Sequence, residues 1–386
     1  MLQLLINGDV FAPEPLGRRH VLVGGGRVLW IGGTEPEVPA SFPVTTIDLG
    51  GRRLIPGLVD CHVHLTGGGG EGGFKSRVPP VPLSAFTRGG TTTVVGVLGT
   101  DDTVRSTASL VAAARSLTEQ GISAWCLTGG YHVPPMTLTG SVRGDLIHID
   151  RIIGVGEIAV SDHRSSQPTL DEILRVASDA YVGGMLAGKA GYTHVHLGDG
   201  GRGLSLVREA LARSELPPRV FHPTHVNRRK ALCDEAFEFV AGGGTIDVTA
   251  FPVAEGEDAW SAADAVRRYF AADLPGDRIT VSSDAGGSVG PTEVGRPEAL
   301  GETLAELLAT GSDLAQVLPA FTSNAADVTG LLNKGRIREG ADADLVVLDA
   351  KGAADDVMAR GRWHVRDGVV IIHGTYEDPG ERKGTE

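Results

Sequence analysis

Two histidines, His62 and His64, stand one residue apart where the apolar run of VDCHVHLTGGGGEGG ends. Side chains alternate along an extended strand, so residues i and i+2 face one side and both imidazoles point together. Paired imidazoles suit a divalent cation such as zinc, and residues of the same chemistry recur along the chain. Glu157 lies in the run IIGVGEIAV, which leads into SDHRSS. His194 and His196 close THVHL, His225 closes VFHPTH, and Asp284 follows in VSSDAGGS. A lone histidine is ordinarily a core or surface residue, but separate apolar runs that each end in a ligand-type side chain call for a common cause. A fold that gathers those ends makes a site of imidazoles and carboxylates, with an open position left for water. Of His194 and His196 only one is needed, and His196, beside LGDG, is the expected ligand. Asp284 is expected to ligate, to act as general base, or both, because a carboxylate beside a metal-bound water can take its proton. His20, His132, His148, His163, His222, His364 and His373 are read as structural or surface residues.

The elements around these residues supply such a fold. Apolar β-rich runs are read as strands at 58–65, 92–98, 123–128, 152–160, 193–197, 220–225, 245–250 and 279–283. Between most of them lie helical patterns, among them TVRSTASLVAAARSLTEQG, TLDEILRVASDAYVGGMLAG, KALCDEAFEFVAGGG and AWSAADAVRRYFAADL. Strands alternating with helices in this way predict a (β/α)8 TIM barrel within the α/β class, whose chemistry sits at the C-terminal ends of the strands. Both chain ends read differently, as short strands and turns: LQLLING and HVLVGGGRVLWIGG at the start, ADADLVVLDA and GRWHVRDGVVIIHGTYE at the end. The expected organisation is a small β-sandwich domain built from 1–56 plus 336–386, around a catalytic barrel over 57–335.

Composition narrows the partners. Lys+Arg 35 against Asp+Glu 48 gives 35 − 48 = −13, and an acidic body does not attract nucleic acid or an anionic membrane. No apolar run approaches the roughly 18 residues of a membrane span. The three cysteines, Cys61, Cys126 and Cys233, are too few and too scattered for a disulfide framework or a cysteine zinc site. The opening MLQLLINGDVFAPEP lacks the basic start and long apolar stretch of a signal peptide, so a cytoplasmic location is expected.

The order of PGLVDCHVHLTGGGGEGG, TTTVVGVLGTD, GISAWCLTGGYHVP, TGSVRGD, SDHRSSQP, HLGD, PTHVNR, GGTIDVT and VSSDAGGS resembles that of the amidohydrolase superfamily, and within it the isoaspartyl (β-aspartyl) dipeptidases. The resemblance spans essentially the whole chain. The paired histidines are common to many amidohydrolase activities, whereas GGGGE, GGYHVP, SDHRS and THVNR together are more specific. By this resemblance the enzyme is a metallo-dipeptidase with two zinc ions per chain. His62 and His64 would hold the more buried metal, His196 and His225 the more exposed one, and Asp284 would ligate the buried metal and act on a bridging hydroxide. An isoaspartyl dipeptide carries a free α-amine and two carboxylates around the scissile amide. Glu71 would pair with the amine and Arg164 and Arg228 with the carboxylates, since a planar guanidinium offers two-point recognition. Tyr131 would donate to the carbonyl oxygen as it becomes an oxyanion, with Thr100, Gly69 and Ser288 as lesser contacts. The glycines after His64 would let backbone pass close to substrate. Family members also tend to form homo-oligomers.

One position departs from the family pattern. Well-known members carry a carboxylated lysine seven residues before the arginine of SDHRS, and that position is Glu157 here. A glutamate reaches roughly 3 to 4 Å less far than a lysine carbamate. Lys189, Lys75 and Lys230 are poor substitutes, so Glu157 is the expected bridge, without a carboxylated lysine. Two rival readings remain: a related amidohydrolase on an N-acyl amino acid or cyclic amide, which has no use for Glu71, and a non-catalytic scaffold, which would be expected to have lost ligands.

Overall fold

The structure, a computed structural model, describes residues 2–289 and 293–378. The segment 379–386, assigned to the β domain from sequence, lies outside the described residues. Five strands come from the start of the chain: β1 Leu2–Phe11, β2 Pro15–Gly24, β3 Arg27–Gly32, β4 Val44–Asp48 and β5 Arg53–Pro56. Next come the barrel strands β6 Leu58–Val63, β7 Thr91–Gly96, β8 Ser123–Thr128, β9 Ile152–Val160, β10 Tyr192–Leu197, β11 Phe221–Thr224, β12 Ile246–Thr249 and β13 Ile279–Ser282. The last four are β14 Leu345–Leu348, β15 Ala354–Ala359, β16 Arg362–Arg366 and β17 Val369–Val370. The strands of both ends form one nine-stranded sheet, in which β14 pairs antiparallel with β5. Its buried face holds Leu5, Val10, Val21, Leu54, Leu345, Val347 and Met358, the inward set of alternating strands.

The fold is an α/β barrel with an additional β domain contributed by both ends of the chain. Strands β6 to β11 run parallel in sequence order, β12 pairs parallel with β13, and a parallel bridge between Val63 and Ala285 closes the ring. Every residue of β6 through β13 is buried except Trp125, as expected of a parallel sheet covered on both faces. Helices return between strands: α1 Leu83–Arg88, α2 Thr107–Gln120, α3 Val142–His148, α4 Leu170–Ala187, α5 Ser205–Ala212, α6 Lys230–Ala241 and α7 Ala262–Ala271. After β13 come α8 Glu298–Ala309, α9 Leu314–Phe321 and α10 Ser323–Val328. The start of α4 follows from its sequence: Thr169 accepts from the Glu172 N–H and Glu172 reaches back to the Thr169 N–H, a capping box. Where β11 and β12 lack a backbone ladder, side chains join them: Thr224 Oγ1 donates to Asp247 Oδ2 at 2.6 Å, and Asn227 exchanges bonds with Thr249. Among the described residues no helix is long and apolar enough to cross a membrane.

Candidate metal centre and active site

The strand ends deliver the expected residues to one place. A cavity at the barrel mouth is lined by every residue given a site role from the sequence except His62, which lies beneath it and is fully buried. His62 and His64 come from β6 and the residue after it. Glu157 comes from β9 and His196 from β10, while His225 and Asp284 each lie just past a strand end with φ of 63° and 52°. That left-handed backbone is uncommon outside glycine, although Asn, Asp and His adopt it more readily than most residues, and it swings both side chains off their strands into the mouth.

Glu157 reaches the histidines despite its short side chain. The register between β9 and β10 slips by one residue between Val155 and Ile158, a bulge that takes in Gly156 and Glu157. Its Oε1 lies 3.4 Å from His64 Nε2. Its Oε2 lies 2.9 Å from His196 Nδ1, 3.5 Å from His225 Nε2 and 3.6 Å from His62 Nε2. Asp284 Oδ1 sits 3.1 Å from His64 Nε2 and 3.5 Å from His62 Nε2. Among the described residues no lysine lines the cavity. Lys189 instead donates to the carbonyls of Leu146 and Ile149 at 2.7 Å, near the end of α3.

The donor set fits a divalent metal. His62, His64 and Asp284 form one group, and His62, Glu157 and His225 a second, each with ligand atoms within 4.8 Å of one another. His62 Nε2, His64 Nδ1 and Asp284 Oδ1 are buried without a hydrogen-bond partner, a costly arrangement that a bound cation would relieve. Burial alone would lower the His62 pKa, yet the carboxylates of Glu157 and Asp284 outweigh it and hold it at about 9. The same histidines overcome burial to keep Glu157 and Asp284 well below the usual carboxylate range. The place where these groups meet therefore favours positive charge. His225 behaves differently: burial lowers it to about 3, so the ring is neutral, with Nδ1 held by Thr249 Oγ1 at 2.8 Å. His196 stands outside both groups, with Nε2 2.9 Å from Asp162 Oδ2 and Tyr131 Oη 2.9 Å from its Nδ1. Burial, reinforced by Glu157, raises the Tyr131 pKa well above 10 and keeps the phenol a donor.

The rim is charged. Glu71 Oε1 accepts from Ser288 Oγ at 3.0 Å, from Thr100 Oγ1 at 3.2 Å and from Arg164 Nη1 at 3.4 Å. Asp162 occupies Nε and Nη2 of Arg164 at 3.0 and 2.7 Å, leaving Nη1 turned toward Glu71. Arg228 Nη1 approaches only His196 Nε2 and the Leu197 carbonyl, each at 3.4 Å, and among the described residues it has no carboxylate partner. Among the glycines after His64, Gly69 lines the cavity and also has a place within its own loop. Gly69 has φ of 69°, and a Cβ there would come within 2.5 Å of the Ser76 carbonyl, so the loop folds back on its own strand as Gly69 bridges Arg77. Sequence reasoning missed Asp162, which orients Arg164; His222, read as structural or surface, lies buried beside His194 under the ligand groups. Burial lowers both of those pKa values, His222 to about 4, so the rings are neutral.

A model of the amidohydrolase family matches residues 261–367. The β-aspartyl dipeptidase of the thermophilic, keratin-degrading Fervidobacterium islandicum AW-1 is 42% identical over 96% of this chain and 98% of its own, with a TM-score of 0.90. Its complex with the dipeptide β-Asp-Leu has a TM-score of 0.89 at the same identity and coverage. An imidazolonepropionase of Acidiphilium cryptum is 38% identical over 106 residues, 27% of this chain and 24% of that protein, so the match to this curated relative spans about a quarter of its length. With cavity, ligand groups and near full-length similarity in accord, the chain belongs to the amidohydrolase family, in the branch of the F. islandicum β-aspartyl dipeptidase.

Proposed function

We propose that the protein is a metal-dependent isoaspartyl dipeptidase, which hydrolyses the amide between the side-chain carbonyl of aspartate and the following residue. The carrying observation is the convergence of one carboxylate, Glu71, and two guanidinium groups, Arg164 and Arg228, on the cavity that also holds the nest of imidazoles and carboxylates. A substrate with one ammonium and two carboxylates around its scissile bond matches that layout. The 42% identical relative that was solved with β-Asp-Leu supports the same reading.

His62, His64 and Asp284 would hold one metal, His196 and His225 a second, and Glu157 would bridge them, with zinc as the expected ion. Bound there, the metals would lower the pKa of a water and polarise the carbonyl under attack. The chain supplies the rest. Glu71 fixes the α-amine, and Arg164 and Arg228 fix the two carboxylates, so the side-chain amide is placed over the ligand groups. Water adds to the carbonyl carbon while Asp284 takes its proton on a carboxylate oxygen. The Tyr131 hydroxyl donates to the carbonyl oxygen as negative charge builds there. Asp284 then gives the proton to the departing nitrogen as the C–N bond breaks.

The test is hydrolysis of isoAsp-Leu, α-Asp-Leu, N-acetyl-D-amino acids and dihydroorotate by protein of known metal content. Turnover confined to isoAsp-Leu, with about two zinc ions per chain by elemental analysis, is the expected result. Metal-loaded protein that leaves isoAsp-Leu intact would overturn the substrate assignment.

A further inference from the structure

Below the ligand groups the barrel floor holds an unbroken file of side chains, each at most 1% exposed. His62 Nδ1 lies 2.8 Å from His194 Nε2, and His194 Nδ1 lies 3.1 Å from His222 Nδ1. His222 Nε2 lies 3.1 Å from Thr280 Oγ1, which in turn lies 2.5 Å from Asp247 Oδ1. Strand register builds the file: His194 and His222 are direct partners on β10 and β11. The bulge in β9 makes room, because a Cβ on Gly156 would sit 2.5 Å from the His194 carbonyl.

The far end gives this file a direction. Asp247 receives the Thr224 hydroxyl at 2.6 Å, the Ser282 hydroxyl at 2.5 Å and the Cys61 thiol at 3.4 Å besides Thr280, so it is an acceptor on every side. Thr280 has one proton and gives it to Asp247, its nearer acceptor, which leaves its oxygen to accept from His222 Nε2–H. Each nitrogen–nitrogen contact in the file takes one hydrogen, so at each contact one ring donates and the other presents a bare nitrogen. His222 Nδ1 is therefore bare and accepts from His194 Nδ1–H, and His194 Nε2 is bare and accepts from His62 Nδ1–H. Reversing the order would need a bare Nδ1 on His62 and leave the ring hydrogen on Nε2, the atom that faces Glu157 and Asp284.

We infer that His194 and His222 are positioning residues for the metal centre: with Thr280 they form a one-way hydrogen-bond relay, anchored on Asp247, that fixes the His62 ring and keeps its Nε2 available as a ligand. A ring N–H held by a partner behind the site is how ligating histidines are oriented, and loss of such a partner weakens metal binding roughly tenfold to hundredfold. The inference rests on the metal-site part of the proposed function and is independent of the substrate assignment.

The direct test is nitrogen-detected NMR of the full-length, metal-free protein with 15N-labelled histidine. The expected pattern is His194 protonated on Nδ1 alone and His222 on Nε2 alone. The opposite tautomer at either ring would overturn the relay. The second measurement is a zinc titration against a competing chelator for His194→Val and His194→Gln. Zinc affinity should fall roughly tenfold to hundredfold in His194→Val and largely return in His194→Gln, whose amide oxygen can accept from His62. Unchanged affinity in His194→Val, or equal loss in both variants, overturns the positioning role. Both readouts are separate from peptide hydrolysis, so a wrong substrate leaves them intact.

Discussion

The rim and the floor of this barrel are both built from polar and ionisable side chains and solve opposite problems. On the floor every ring nitrogen from His62 Nδ1 to His222 Nε2 has one partner and one direction, ending on a carboxylate that accepts throughout. At the rim hydrogen-bonding capacity is left over: among the described residues Arg228 has no carboxylate partner, and Arg164 keeps only part of its fork on Asp162. Saturation marks scaffold, since a buried polar group without a partner is costly. Surplus marks where a ligand goes. Between the two lie His62 Nε2, His64 Nδ1 and Asp284 Oδ1, buried and also without partners, a surplus for a cation.

If this division holds, the largest kinetic effect comes from that middle layer. Asp284→Asn removes the proton carrier and should lower kcat by roughly 10² to 10⁴-fold, read in buffer that keeps the metal site loaded. A variant retaining near full turnover would separate Asp284 from proton transfer. Tyr131→Phe comes next, at roughly 10² to 10³-fold in kcat, with little change in thermal stability. Because burial raises the phenol pKa above 10, Tyr131 is protonated across the neutral and mildly alkaline range. The ratio of wild-type to variant kcat should therefore stay constant there, and a ratio that collapses at alkaline pH short of 10 would show that the phenol is ionising.

How much of this contrast is legible in the sequence depends on the range of the cause. The i, i+2 spacing of His62 and His64 and the strands at 123–128 and 152–160 are local properties, and the structure has them at those residues. The left-handed backbone of His225 and Asp284 is not written in any local pattern, since both follow ordinary β-rich runs. The floor is hidden for a different reason. His194 and His222 are 28 residues apart and meet only through the register of β10 and β11, so each taken alone reads as an ordinary core histidine. Nor does a glycine run say what it must pack against; at Gly69 the close approach to the Ser76 carbonyl is set by the folded loop. Glu157 was visible by its spacing from Arg164, but its reach depends on a bulge that only strand pairing reveals.

The floor predicts a stability effect that the rim does not. Asp247→Asn places an amide N–H₂ among hydroxyl donors and should cost roughly 3 kcal/mol, read from urea unfolding of the metal-free protein. An unchanged midpoint would remove Asp247 as the anchor. Substitutions at the rim should leave that midpoint where it is, because those side chains are only partly buried and their bonding is incomplete.

The smallest effect expected is also the most specific. Glu71→Gln keeps an oxygen to accept from Ser288 and Thr100 but loses the charge that faces a substrate ammonium. For isoAsp-Leu, kcat/KM should fall roughly tenfold to hundredfold, the range of a hydrogen bond to a charged group. With the α-amine of the substrate acetylated there is no ammonium to recognise, so the wild-type protein should handle it poorly and the substitution should cost little more. A Glu71→Gln variant that loses the same factor on both substrates would mean that Glu71 acts by holding Arg164 at 3.4 Å and not by reading the amine. In that case the surplus at the rim would belong to the two arginines alone.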